Sequence, residues 1–278
     1  MSASAHAARQ CRGAREEQVA GTIRISVEGG IARLALSNPE RRNAISSGMW
    51  RALSAFAADA GRHGDIRVAV LRGEGDLAFS GGADISDFDT ARSDTSGVQS
   101  YDDLVEAACS AVESLPFPTI ALVRGACVGA GAALAASCDL RIAADDAFFA
   151  LPAARLGLGY DPRGFVRLTR MFGGQSVRSL FFTAERLSAA RAGETGAVDL
   201  CVPGAEVEAA TDRLAQRMAD NAPLTLRAAK LAIRASEGAP QQVLAEARRV
   251  AALANASADY REGRLAFAEK RAPRFTGT

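Results

Sequence analysis

The sequence predicts an α/β fold with a helical C-terminal region, and three observations carry that reading. Short β-rich apolar runs alternate with helical patterns between Thr22 and Val202. Two clusters of small residues with glycine, around 79–85 and 125–137, interrupt them. From Glu206 onward the pattern is helical throughout. With 278 residues and 48% apolar content the chain can bury a sizeable core, as one large domain or a domain with an appendage.

Taken in order, residues 1–20 are rich in Ala, Arg and Ser with no apolar stretch. They read as a disordered tail, not a secretory signal. Thr22–Val27 and Ile31–Leu36 flank Glu28-Gly29-Gly30 and read as a hairpin. Asn38-Pro39 makes a turn. A helix follows with Trp50, Leu53, Phe56, Ala57 and Ala60 as its apolar stripe. Val68–Arg72 is a buried strand, ended by Gly73-Glu74-Gly75. Phe79-Ser80-Gly81-Gly82-Ala83-Asp84-Ile85 lets backbone approach a ligand closely. Asp87–Ser100 is polar and reads as a mobile segment. A helix then carries Leu104, Ala108, Ala111, Val112 and Leu115, and Pro116 and Pro118 end it.

Thr119–Leu140 organises the rest. Thr119–Val123 is a buried strand, Gly125 sits in a turn, and Gly129-Ala130-Gly131 opens a helical run of small residues. A strand, a glycine turn and a helix start bring unpaired backbone N–H groups to one point, suited to an anion or a developing oxyanion. The same stretch reads equally as a core helix crowded against a sheet. A dinucleotide turn is disfavoured, because Leu134 stands where the third glycine belongs and no acidic residue ends a later strand.

Leu140–Ala144 and Phe148–Leu151 are short strands, and Pro152–Gly164 is a glycine-rich loop. Helix follows from about Phe165, interrupted at Gly173-Gly174 and resuming from Ser176 to Phe182. Ser188–Ala192 is a short helix and Val198–Val202 the last strand. The tail reads as four helices: Val207–Asn221, Leu224–Ser236, Gln241–Ala256 and Tyr260–Glu269. The organisation is therefore a tail at 1–20, a core at 21–205 and a helical region at 206–278.

Composition narrows the function. A net charge of +1 argues against binding to nucleic acid through phosphate contacts, and 6% aromatics leave few stacking platforms. No apolar run reaches membrane-spanning length. The five cysteines form no C-x-x-C pair, and Cys109, Cys127 and Cys138 read as small buried hydrophobes of a reducing, cytoplasmic protein. The two histidines, His6 and His63, lie far apart in polar stretches, so a histidine triad or a zinc site is not expected.

Joined in order, F-S-G-G-A-D-I at 79–85 and V-R-G-A-C-V-G-A-G at 123–131 resemble the crotonase superfamily, the enoyl-CoA hydratase/isomerase family. N-P-E-R-R-N-A-I at 38–45, C-D-L-R-I-A at 138–143, P-A-A-R-L-G-L-G at 152–159, F-F-T-A-E-R-L-S-A-A at 181–190 and Y-R-E-G-R-L-A-F-A-E-K-R at 260–271 complete the set. The resemblance covers the chain from about Thr22 to its end. It implies a crotonase-like spiral of β-β-α units with a C-terminal trimerisation region, assembling as a homotrimer or hexamer. It implies an acyl-CoA thioester ligand and no cofactor beyond the coenzyme A of the substrate. It also implies an oxyanion hole made by the amides of Ala83 and Ala130. Arg42, Ala44, Gly81, Asp84, Ile85, Gly129 and Pro152 are the implied substrate and CoA contacts, with Phe267 and Lys270 reaching a neighbour's site.

The chain departs from the family pattern where hydratases carry two glutamates, since Ala133 and Ala153 stand there. Neither alanine moves a proton. Nearby are Tyr160, which matches a tyrosine of methylmalonyl-CoA decarboxylases, and Asp161, which matches a catalytic aspartate of dienoyl-CoA isomerases. S-Y-D-D at 100–103 also resembles a stretch in those decarboxylases, whose oxyanion-loop histidine is replaced here by Ala83. These matches imply an enolate-forming isomerase or decarboxylase, with Asp161 as proton shuttle and Tyr160 as donor or orienting group. Desolvation beside Leu156, Leu158, Tyr160 and Phe165 is expected to raise the Asp161 pKa. A structural reading stands beside it: Asp161 as a turn residue before Pro162, tied to its own loop's amides with a lowered pKa. At the level of the protein, the alternative is a non-catalytic acyl-CoA binding protein or assembly partner.

Overall fold

The computed structural model describes residues 21–60, 64–84, 86 and 95–278. The expected tail at 1–20, with His6 and Cys11, and also His63 and Ile85, fall outside the described residues.

The expected hairpin is present. Strands β1 (Thr22–Glu28) and β2 (Ile31–Ser37) pair antiparallel, with Ile25 opposite Leu34. Helix α1 (Ser47–Asp59) starts at Ser46, whose hydroxyl accepts from the Met49 amide, and it buries Met49, Trp50, Leu53 and Phe56. Three strand pairs follow: β3 (Val68–Gly73) with β4 (Ala78–Ser80), β5 (Thr119–Val123) with β6 (Ala126–Val128), and β7 (Leu140–Ala144) with β8 (Phe148–Ala150). Helix α2 (Thr95–Glu113) separates the first pair from the second, and α3 (Ala130–Ala136) the second from the third. After β8 come α4 (Pro162–Thr183), β9 (Leu187–Ser188), α5 (Ala189–Glu194) and β10 (Leu200–Val202).

Each pair sends one strand to each of two sheets. The larger has the order β1-β2-β3-β5-β7-β10, parallel apart from the hairpin. The smaller has the order β4-β6-β8-β9, with β8 and β9 antiparallel. Repetition of strand, strand, helix winds the chain into the spiral that the motif order implied. Of the smaller sheet only β8 was foreseen, as the short strand Phe148–Leu151; β4, β6 and β9 were not, because runs of two or three residues are too short to show a period.

The large sheet is buried on both faces, so its parallel strands read as continuous apolar runs. Val68 and Val70 point to one face, with Ile120, Leu122 and Ile142; Ala69 and Leu71 point to the other. On the second face lie Trp50, Phe79, Phe149 and Phe172, all fully buried, with Phe149 and Phe172 edge to face at 5.3 Å. Helix α6 (Val207–Ala219) covers the first face with Val207, Ala210, Ala215 and Ala219. The helical region at 206–278 therefore starts inside the core. Outside it lie α7 (Pro223–Ser236), α8 (Gln241–Ala256) and α9 (Ala258–Glu269). Lys230 docks α7: its ammonium donates to Asp139 at 2.8 Å and to the Phe117 carbonyl at 3.0 Å. Asp139 in turn accepts from the Thr119 amide and hydroxyl.

Two expected loops are shorter than foreseen. Of the polar segment Asp87–Ser100, residues 95–100 belong to α2, and 87–94 lie outside the described residues. The loop after β8 opens with a 3-10 turn at Pro152–Leu156, and α4 already begins at Pro162. The break foreseen at Gly173-Gly174 is real, since Gly173 has φ 74° and ψ 151° inside α4.

The motif N-P-E-R-R-N-A-I acts as a clasp between hairpin, α1 and β4. Asn43 is 1% exposed and left-handed at φ 56°, which asparagine tolerates better than most side chains. Its amide donates to the carbonyls of Glu74 at 3.0 Å and Ala78 at 2.8 Å, and its oxygen accepts from the Asn38 amide at 3.1 Å. Asn43→Ala removes all three bonds, leaves the buried Ala78 carbonyl short of a donor and keeps the unfavourable φ. The expected loss is about 3 kcal/mol, read as a lower urea midpoint with an unchanged slope.

Candidate active site

The site begins with two turns. Gly82, at φ 115°, precedes Ala83 after β4, and Gly129, at φ 52°, precedes Ala130 after β6. Both turns are pinned: the Gly82 carbonyl accepts from Ile45 N, the Ile45 carbonyl from Asp84 N, and the Ala150 carbonyl from Gly129 N. Helix α3 starts directly against the end of β4. A Cβ on Gly131 would lie 2.6 Å from Ser80 Cβ and 3.0 Å from its carbonyl oxygen, so the approach requires glycine. Ala83 and Ala130 then line one cavity of about 170 Å³. Neither amide donates to a protein acceptor among the described residues. With seven residues, α3 contributes little macrodipole, so the local N–H groups carry the polarity here.

Part of the cavity lining is apolar. Ala133, Leu151, Ala153 and Leu158 form it, with Ala133 3% and Ala153 8% exposed. Tyr160 lies beyond them in an aromatic nest, its ring 5.4 Å from Phe165 and 5.1 Å from Phe181, edge to face in both cases. Gly164 allows this, because a Cβ there would meet Tyr160 Cε1 at 2.9 Å. The Tyr160 hydroxyl makes no hydrogen bond among the described residues. Burial, with the charges of Asp161 and Asp102 adding to it, pushes the Tyr160 pKa well above the usual tyrosine value.

Asp161 corrects the expectation of a raised pKa. It is the N-cap of α4, accepting from the Arg163 amide at 2.9 Å and from Arg163 Nε at 2.7 Å. The Arg163 bond outweighs burial and holds the carboxyl below the usual carboxylate value. The turn reading of Asp161 accounts for this geometry, even though the residue lines the cavity.

The remaining wall comes from one face of α2: Tyr101, Asp102, Val105 and Glu106. Glu106 receives both terminal nitrogens of Arg167, at 2.7 and 2.8 Å, and the Ser110 hydroxyl at 2.8 Å. Those bonds, Arg167's first, hold its carboxyl low against burial. Tyr101 and Asp102 belong to the S-Y-D-D stretch at 100–103, whereas Glu106 and Arg167 were not foreseen. Their signal was a register of Arg163, Arg167 and Arg170 matched to Asp103, Glu106 and Glu113 on a second helix, and opposed charges on separate helices read in sequence as two solvated faces.

A second cavity of about 710 Å³ adjoins the first, sharing Gly81, Val128 and Pro152 with it. Arg41, Arg42, Arg155 and Arg186 make it basic, and the Arg186 guanidinium lies 4.3 Å from the centre of the Phe148 ring. Of the expected contacts, Gly81, Gly129 and Pro152 line the first cavity and Arg42 the second. Asp84 and Ala44 line neither. Asp84 is 5% exposed, and its carboxylate is taken up by Arg41, Ser86 and Asn38. Burial pushes its pKa up, but Ser86 and Arg41 together hold it low. Ala44 is buried, with its carbonyl accepting from Asn38. Phe267, 88% exposed, and Lys270, the left-handed cap of α9, lie outside both cavities of their own chain.

Among the described residues no helix is long and apolar enough to cross a membrane, and no group of three or more His, Cys, Asp or Glu residues could hold a metal ion.

The family model described as Enoyl-CoA hydratase/isomerase matches residues 26–278. A protein of Rhodobacter capsulatus described as a probable enoyl-CoA hydratase is 35% identical over 92% of this chain and 98% of its own. The crystal structure of an enoyl-CoA hydratase/carnithine racemase from Magnetospirillum magneticum superposes with a TM-score of 0.85, at 32% identity, over 92% of this chain and 96% of that one. An enoyl-CoA hydratase from Polaromonas superposes with a TM-score of 0.82, at 30% identity, over 92% and 100%. The fold, the order of the motifs and a match over nearly the whole described chain agree: this chain belongs to the enoyl-CoA hydratase/isomerase family.

Proposed function

We propose that the protein binds a short acyl-CoA carrying a carboxyl group on its α-carbon and decarboxylates it. The observation that carries this is a pair of unengaged amides, Ala83 and Ala130, lining one cavity with Tyr160, whose hydroxyl burial keeps protonated. In this reading the two amides hold the thioester oxygen. The bond from the α-carbon to the carboxylate breaks, its electron pair moves through the α-carbon onto that oxygen, and CO2 leaves. The enolate then takes the Tyr160 proton at carbon, and the tyrosinate recovers a proton from water. The apolar surface of Ala133, Ala153 and Leu158 leaves the departing carboxylate poorly solvated, and expelling it as neutral CO2 relieves that cost.

The family's two hydratase glutamates correspond to Ala133 and Ala153, so water activation has no base there. The basic second cavity suits the phosphates of coenzyme A, with Arg42 among their partners. Coenzyme A arrives as part of the substrate, and this reading needs no further cofactor. The exposed side chains Ile233, Leu253, Leu265 and Phe267 suit burial in a homotrimer or a dimer of trimers, in which Phe267 and Lys270 approach a neighbour's site.

A second reading, a proton shift by Asp161, has one observation behind it: Asp161 lines the same cavity. Turnover of a panel separates the readings. Malonyl-CoA and methylmalonyl-CoA are expected to release CO2, and crotonyl-CoA is expected to gain no water. Isomerisation of enoyl-CoAs without CO2 release supports the Asp161 reading. Binding of the panel with no turnover supports a non-catalytic acyl-CoA binding protein.

A further inference from the structure

Arg163 occupies a position that neither the sequence reading nor the family resemblance singled out. Its side chain reaches two carboxylates at once. Its Nη2 lies 2.5 Å from Asp161 Oδ2 and 2.7 Å from Asp103 Oδ1, while its Nε donates to Asp161 Oδ2 at 2.7 Å. Its own amide holds the other Asp161 oxygen at 2.9 Å. Asp103 belongs to α2, the helix whose adjoining residues Tyr101 and Asp102 form the cavity wall. One guanidinium thus ties Asp161 to α2, and both Asp161 oxygens are engaged by Arg163.

We infer that Arg163 is a positioning residue: it clamps the Asp161 carboxylate along the start of α4 and onto α2, so that Tyr160 is left as the group that meets the α-carbon. The inference rests on the enolate reading of the site. Tyr160 and Asp161 are sequence neighbours and both line the cavity, so only restraint on one of them decides which acts. A free aspartate would be a base for the α-proton of any thioester held between Ala83 and Ala130. Clamped, it is an ionised but occupied acceptor. The charged and titratable groups around it are Arg163 and Arg167 on α4, Asp102 and Asp103 on α2, and Tyr160 beside it. Arg167 is committed to Glu106 and Glu113 and does not replace Arg163.

The test uses propionyl-CoA, which has no carboxyl group to lose, in D2O. Release of Asp161 lets it take an α-proton, breaking C–H and forming O–H, and the enolate takes back a solvent deuteron. Exchange is expected to be slow in the parent and at least about tenfold faster in Arg163→Met. It should return to the parent rate in the double variant with Asp161→Asn. Asp103→Asn, which opens half the clamp, should fall between. In parallel, carboxyl-carbon NMR of the full chain without ligand should show the Asp161 titration midpoint moving up in Arg163→Met. Equal exchange in parent and Arg163→Met, or an unmoved midpoint, overturns the clamp. Fast exchange already in the parent overturns it as well. The titration needs no turnover, so it reads the clamp even where the decarboxylation panel fails. A moved midpoint with no CO2 release from the panel discards the proposed reaction and keeps the clamp.

Discussion

Ala130→Pro is expected to lower turnover by about a hundred- to a thousandfold while leaving the chain folded. The position makes the substitution informative. Ala130 is the first residue of α3, and its N–H has no acceptor among the described residues. Proline is favoured at a first helical position, where its missing N–H costs no helical bond and its φ is already suitable. Only a ligand should miss that donor. One preorganised donor to a developing oxyanion is worth about 3 kcal/mol, because it acts where water is excluded and needs no reorientation during the reaction. The measurements are kcat on the substrate found in the panel and the affinity for a non-reacting acyl-CoA. Loss of kcat with little change in that affinity places the amide's contribution in the transition state. Equal kcat in parent and variant removes Ala130 from the oxyanion hole. Ala83→Pro is the companion experiment, since the Ala83 amide is also unengaged among the described residues.

The fold was more legible in the sequence than the site. Long apolar runs and helical stripes gave the hairpin, α1, the parallel strands and the four C-terminal helices, because burial on both faces of the large sheet leaves an unbroken signal at Val68–Leu71 and Thr119–Val123. Three- and two-residue strands such as β6 and β9 carry no period, so of the smaller sheet only β8 showed before its partners were in place. In the candidate site, the shared cavity of Ala83 and Ala130 was legible because glycine turns announce backbone geometry locally. Asp161 was found but its environment was not. An aspartate before proline leaves open whether its carboxylate faces the acyl cavity or its own helix, and Arg163, two residues on, settles that by a side-chain contact. Glu106 and Arg167 were missed for a related reason. Each reads as surface charge on its own helix, and only the packing of α2 against α4 buries Arg167 against a half-buried Glu106.

Tyr160→Phe is expected to reduce CO2 release by at least about a hundredfold while preserving the aromatic nest. Phenylalanine keeps the ring contacts with Phe165 and Phe181 and the packing on Gly164. The hydroxyl has no partner among the described residues, so its loss orphans no protein group and stability should change little. The pH dependence adds a second check. A tyrosine ordinarily gives up its proton near 10.0, but burial and neighbouring carboxylates raise that of Tyr160. The raised pKa keeps the donor protonated through neutral and moderately alkaline pH, so turnover should show no Tyr160-dependent fall up to pH 10.0. The enolate is a far stronger base than any phenolate, which leaves proton transfer favourable despite the raised pKa. For stability, a folded pKa above the unfolded one makes a contribution that is fully present below the unfolded value and is lost progressively as pH rises from there through the folded one. A fall in turnover of the parent centred well below pH 10.0, and unchanged in Tyr160→Phe, assigns the proton to another group. Full turnover by Tyr160→Phe would remove the tyrosine as donor and return attention to Asp161, whose release from Arg163 is then the step to measure.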